Sequence, residues 1–99
     1  MNINDNISGV YLIKCEYDGL DMLKIGCSKN ILKRFKQHTT SNPLHKPIGY
    51  IVTDNYKWLE KDILYKCRLH KYNKEWFFYK DVIINYFKNH ENYIDHIFI

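Results

Sequence analysis

The sequence predicts an α+β fold, an α/β sandwich with helices packed on a three-stranded sheet. Two β-rich runs, Gly9–Tyr17 (GVYLIKCEY) and Met22–Cys27 (MLKIGC), flank Asp18-Gly19, a tight-turn dipeptide. A third β-rich run, Ile48–Val52, lies between two segments with helical spacing. The order β-β-α-β-α-α opens on a hairpin and adds its third strand after a helix. That order produces an antiparallel or mixed sheet with helices on it.

Each element has a local reason. Gly9–Tyr17 carries bulky β-formers at both alternating positions, as expected of a strand covered on both faces. Ser28 is a good N-cap for a helix over Asn30–His38, in which Ile31, Phe35 and His38 share a side with Leu32 beside them. Arg34 and His38, four residues apart, project from neighbouring turns. Asn42-Pro43 ends that helix. Asp54 or Asn55 can cap a second helix over 56–70, with Leu59, Ile63 and Cys67 inward and Glu60 next to that stripe. Asp81 can cap a third helix to Asn89, with Val82, Ile83, Tyr86 and Phe87 inward. The apolar tail Tyr93–Ile99 fits either a short helix or an added edge strand.

At 99 residues the chain reads as one domain, residues 1–99, with room for one modest core. Hydrophobic residues at 45% and aromatics at 16% exclude wholesale disorder. Apolar runs of three or four residues exclude a membrane-spanning helix, and the N-terminus lacks the pattern of a signal peptide. Cys15, Cys27 and Cys67 form no CxxC and suggest reduced thiols. We therefore expect an intracellular protein, cytoplasmic or nuclear, neither secreted nor membrane-bound. The net charge of +4 is unevenly spread. Residues 22–53 hold six bases (Lys24, Lys29, Lys33, Arg34, Lys36 and Lys46), His38 and His45, and no acid. Such a field suits a polyanion, first of all a nucleic acid. Lys29, Lys33, Lys36, His45 and Lys46 are the expected nucleic-acid contacts, although a solvated basic helix face would look the same.

Five segments together resemble a known family. Gly9-Val10-Tyr11 and Lys24-Ile25-Gly26 resemble the paired signature of the GIY-YIG nuclease superfamily. Arg34 to His38 looks like its Arg-x-x-x-His element, and Leu59-Glu60-Lys61 stands where the family carries a metal-binding Glu. Glu75-Trp76-Phe77 looks like a segment of the short branch found in phages and large DNA viruses, whose second motif often reads KIG. The resemblance covers about residues 9–80 and leaves a C-terminal helix and tail, 81–99. It implies a three-stranded antiparallel sheet flanked by helices and hydrolysis of DNA phosphodiesters with one divalent metal, Mg2+ or Mn2+. By position it makes Tyr11 the candidate base, Arg34 a phosphate clamp, His38 a proton-transfer partner and Glu60 the metal ligand.

These residue types suit that chemistry. Mg2+ keeps most of its waters, so one carboxylate can suffice. Arg34 can grip two phosphate oxygens, and an imidazole titrating near neutrality can relay a proton. A free phenol, with a pKa of about 10, is a poor base at pH 7. Lys24 stands where many members of the family carry a second tyrosine. On a strand adjacent to Tyr11, its ammonium would favour the phenolate or bind the scissile phosphate. The bland readings are a core tyrosine, a surface arginine, a Glu60 paired with Lys57 or Lys61, and a structural Glu75-Trp76. The expected function is thus a DNA endonuclease. The alternatives are a catalytically inactive nucleic-acid-binding module and a protein-interaction domain that keeps only the fold. A chain this small has little surface for reading DNA sequence, so the expectation is a homodimer, with Tyr93–Ile99 as its contact, or a separate DNA-targeting partner protein. The endonuclease reading requires Tyr11, Arg34 and Glu60 to share one concave surface; it fails if they line separate pockets or if the phenol ring is sealed inside the protein.

Overall fold

The computed structural model describes residues 7–96. It is α+β, with three α-helices and a six-stranded antiparallel sheet. The strands are β1 (Gly9–Tyr17), β2 (Leu20–Ser28), β3 (Lys46–Val52), β4 (Lys71–Asn73), β5 (Trp76–Phe78) and β6 (Tyr93–Asp95). The helices are α1 (Ile31–Ser41), α2 (Tyr56–Lys66) and α3 (Asp81–Lys88), with a 3-10 turn at Arg68–His70. The sheet order is β4-β5-β2-β1-β3-β6.

The expected hairpin forms, with Tyr11 opposite Gly26 and Ile13 opposite Lys24. Its turn places Asp18 (φ 52°) and Gly19 (φ 78°) both in the left-handed region, which Asx and Gly tolerate best. The three-stranded expectation is corrected to six. β2, β1 and β3 form the centre, and three strands of three residues each extend its edges. β5 joins β2 through Met22, Leu23 and Lys24, and β6 joins β3 through Gly49, Tyr50 and Ile51. Three residues are too few to show an alternation, so such strands leave no period in the sequence. In the C-terminal tail, residues 93–95 take the edge-strand alternative, and 97–99 lie outside the described residues.

β1 is buried on both faces, as its composition predicts. On one face Val10, Leu12, Leu23, Ile25 and Phe77 pack against Leu59 and Ile63 of α2 and Ile83 and Phe87 of α3. On the other, Tyr11, Ile13 and Tyr50 pack against Ile31 and Phe35 of α1. Polar contacts fasten α2 to α3. The Tyr86 hydroxyl donates to Asp62 Oδ2 (3.3 Å) and accepts from Lys66 Nζ (2.9 Å).

Several cap and face expectations shift. Asn30, not Ser28, caps α1: its Oδ1 accepts from the Lys33 N–H (3.2 Å), while Ser28 Oγ accepts from the Asn30 N–H (2.9 Å). The two side chains act in series, because β2 runs to Ser28 before the helix begins. α1 ends at the Asn42 C-cap, as Asn42-Pro43 predicts. α2 stops at Lys66, and Arg68–His70 tightens into the 3-10 turn. Lys80 occupies the α3 cap, and Asp81 is the first helical residue, where its charge suits the positive end of the dipole. Val82, expected inward, is exposed, because Ile83 and Phe87 define the buried stripe. Among the described residues no helix is long and apolar enough to cross a membrane.

Candidate functional site

The site is built around the Tyr11 hydroxyl. β1 carries Tyr11 on the α1 face, and its ring packs edge-on against Phe35, with centroids 5.7 Å apart. The space for the phenol comes from the opposing strand: a Cβ on Gly26 would collide with the Tyr11 Oη and Cζ. Only glycine fits opposite this tyrosine, which is the physical content of pairing GVY with KIG. One helical turn after Arg34, His38 brings Nε2 to 3.3 Å from the Tyr11 hydroxyl.

Groups from β2, α1, α2 and the β4–β5 turn act on that hydroxyl. Burial is the main influence and pushes the phenol from 10.0 up to about 12. The Arg34 guanidinium pulls it down, and Glu75, Glu60 and Cys27 push it up. Tyr11 and His38 thus meet directly, and the Arg34 and Glu60 charges act on the same phenol, although the four residues lie on β1, α1 and α2. Tyr11 is only 4% exposed, so its ring belongs to the core, and the expected shared concave surface is not reproduced: the groove that Arg34 lines has neither Tyr11 nor Glu60 in its wall.

Two electrostatic expectations are corrected. Lys24 does not lower the Tyr11 pKa. Its Nζ lies 3.8 Å from Glu75 Oε2 and 5.6 Å from the Trp76 ring centroid. Its field falls on His38 and His45 instead. Nor does His38 titrate near neutrality. Burial, then Lys24, His45 and Arg34, push it from 6.5 down to about 4, so the imidazole is neutral at pH 7. A neutral imidazole protonated on Nδ1 accepts the phenol's hydrogen bond at Nε2.

Glu60 is half-buried on α2 and, among the described residues, makes no ion pair, neither with Lys57 nor with Lys61. Burial raises its pKa first; the Cys27 thiol, hydrogen-bonded to it, lowers it, and the Glu75 charge raises it again. Cys27 is in turn pushed from 9.0 up to about 11 by burial and Glu60, so it is a thiol and not a nucleophile. An unpaired, half-buried carboxylate in the field of a second one suits a hard divalent cation. Among the described residues no group of three or more His, Cys, Asp or Glu is placed to hold a metal ion. Mg2+, which keeps several waters, does not require such a group.

The expected nucleic-acid contacts divide. Lys29, Lys33 and Arg34 line an open groove of about 840 Å³ with Lys57, Ser28 and Gln37, where Asp54 is the one acid. Lys36 lies on a shallower surface with Lys33, Gln37 and Thr40. Lys46 lies apart, in a small cleft with the acids Glu16 and Asp21. His45 lies between His38 and Trp76, tilted against one and edge-on to the other, with centroids 5.7 and 5.6 Å away, and its Nδ1 is buried without a hydrogen-bond partner.

Sequence reasoning missed three participants. Glu75, expected to be structural, does pair with Lys24, and its charge also reaches Tyr11, Cys27 and Glu60. Gly26 clears the space for the phenol, and Lys57 lines the basic groove. The signal for the first two was already in the sequence, in the Glu-Trp-Phe and KIG segments. For Lys57 there was none.

No curated protein and no solved structure gives a significant match to the chain. The family model of the T5orf172 domain matches residues 8–95, nearly all of the described structure. That domain occurs in phage and other endonuclease-like proteins, which is compatible with the GIY-YIG resemblance and with a nuclease or DNA-binding role. The chain belongs to the T5orf172 domain family.

Proposed function

We propose that this protein is a metal-dependent endonuclease of GIY-YIG type that hydrolyses DNA phosphodiester bonds. One observation carries the reading: a single phenolic hydroxyl bonds to His38 and lies in the fields of Arg34, Glu60 and Glu75. Core packing alone gives no reason to gather those charges around a buried tyrosine.

The residues divide the reaction as follows. Arg34, exposed at the edge of the basic groove, binds the scissile phosphate with its fork of donors. Tyr11 accepts a proton from the attacking water through its oxygen and passes its own proton to neutral His38. The relay avoids forming a free phenolate, which a pKa of about 12 makes rare at pH 7. Glu60 would hold Mg2+ or Mn2+, with Glu75 adding negative charge nearby; such an ion supplies charge stabilisation at the departing oxygen. Lys24, held by Glu75 and Trp76, supports the site's positive field from the β2–β5 side.

A second reading has its own observation. Tyr11 is 4% exposed and its phenol is harder, not easier, to ionise, as in a domain that binds nucleic acid without cutting it. Plasmid nicking with Mg2+ or Mn2+ separates the two. The endonuclease reading expects nicking by the natural protein and a loss of about 100-fold or more in Tyr11→Phe and Glu60→Ala. DNA binding without nicking would support the second reading.

A further inference from the structure

Beyond the end of α1, the face of the sheet that carries Tyr11 opens into a second cavity, of about 380 Å³. This is large enough for a small ligand, in a range of roughly 300–1,000 Å³. Tyr17, Tyr72 and Trp76 supply its rings, and Asn42, Asn73 and His45 supply its polar groups. Tyr17 and Tyr72 are 53% and 47% exposed, and their ring centroids lie 6.1 Å apart. The cavity adjoins the candidate site: the rings of Trp76, His45, His38 and Tyr11 follow one another at centroid spacings of 5.6, 5.7 and 5.7 Å.

We propose that this aromatic cavity binds an unpaired nucleobase of the DNA strand whose phosphate lies at Tyr11. The proposal rests on the nucleic-acid reading above and adds the substrate class, DNA with a single-stranded or distorted segment. Charge separates the two recesses. The groove beside Arg34 is basic and suits phosphates, whereas no Lys or Arg lines the aromatic cavity and its one charged wall is Glu16. Lys24, near Trp76 and His45, is paired with Glu75, so this wall suits a neutral heterocycle better than a phosphate. Aromatic faces stack on any base. The side-chain amides of Asn42 and Asn73 offer both donors and acceptors to a base edge. His45 also lines the cavity beside Trp76, although its unpartnered Nδ1 is itself buried. A second copy of the chain, or another protein, could also cover exposed rings, but the ring series leading to Tyr11 favours the strand.

The test is fluorescence anisotropy with labelled (dT)12 and a 12-base-pair duplex, at low salt in EDTA so that no cleavage intervenes. Stacking is worth ~1–3 kcal/mol per base, so Tyr17→Ala/Tyr72→Ala should weaken (dT)12 binding roughly tenfold or more and leave duplex affinity within about threefold. Tyr72→Phe should retain the affinity for (dT)12. Should the double variant melt early, Tyr72→Ser, altering one half-exposed side chain, is read in its place. Equal effects on both DNAs, or none, overturn the proposal while leaving the nucleic-acid reading intact. A change in sedimentation coefficient without a change in DNA affinity marks the face as a protein interface and also overturns it. No binding of either DNA by the natural protein defeats both.

Discussion

Tyr11 is one of nine tyrosines, and its surroundings set it apart. Its ring packs like any core ring, but its hydroxyl meets an imidazole and lies among charges of both signs. The sequence named Tyr11, Arg34, His38 and Glu60 because the family motif fixes them by position. It misjudged how they titrate. Lys24 was placed on the strand next to Tyr11, and it is there, but its charge is spent on Glu75 and on the two histidines. Which charge faces which is decided by side-chain direction across the sheet, and that is invisible in one dimension. His38 carries a prediction at this scale. Its pKa is about 4 folded against 6.5 ordinarily, so the unfolded chain binds the proton more readily. Its stabilising contribution is therefore full above pH 6.5 and is lost as pH falls towards 4. Thermal melts from pH 7 to 4 should show a shallower decline for His38→Gln than for the natural protein. An unchanged slope would mean that His38 titrates normally.

Among the elements, the hairpin, α1, α2 and β3 were legible because each is long enough to show its period. β4, β5 and β6, three residues each, were not, since backbone pairing with β2 and β3 defines them. The α1 cap was misplaced by two residues because Ser28 and Asn30 are both good caps and both are used. The consequential pairing is Tyr11 against Gly26. A methyl group at position 26 has no space while the phenol is in place. Gly26→Ala should therefore cost about 1–3 kcal/mol and displace the hydroxyl from His38. Calorimetry should register the lower melting temperature, and nicking should fall with it. Full activity in this variant would show that Tyr11 need not occupy its present position.

At the scale of the molecule, the surface separates into a basic groove beside α1 and an aromatic cavity past its end, with Tyr11 between them. The acid-free stretch 22–53 foretold the sign of the groove but not its membership, because Lys57 joins it and Lys46 does not. Each phosphate contact contributes about 0.9 to the slope of log affinity against log salt, so Lys29→Gln/Lys33→Gln should lower that slope by about 1.8. Lys46→Gln, beside Glu16 and Asp21, should leave it unchanged. Equal effects from both variants would mean that the groove is not the DNA path. The enclosure of Tyr11 restricts the mechanism most, since any substrate must reach the hydroxyl of a residue that is 4% exposed. The account therefore depends on Glu60 holding a divalent ion close to that one oxygen. A crystal soaked in Mn2+ tests this most directly, through its anomalous density. The account predicts a peak at the Glu60 carboxylate on the side facing Tyr11; a bare Glu60, with Mn2+ bound elsewhere or nowhere, would contradict it.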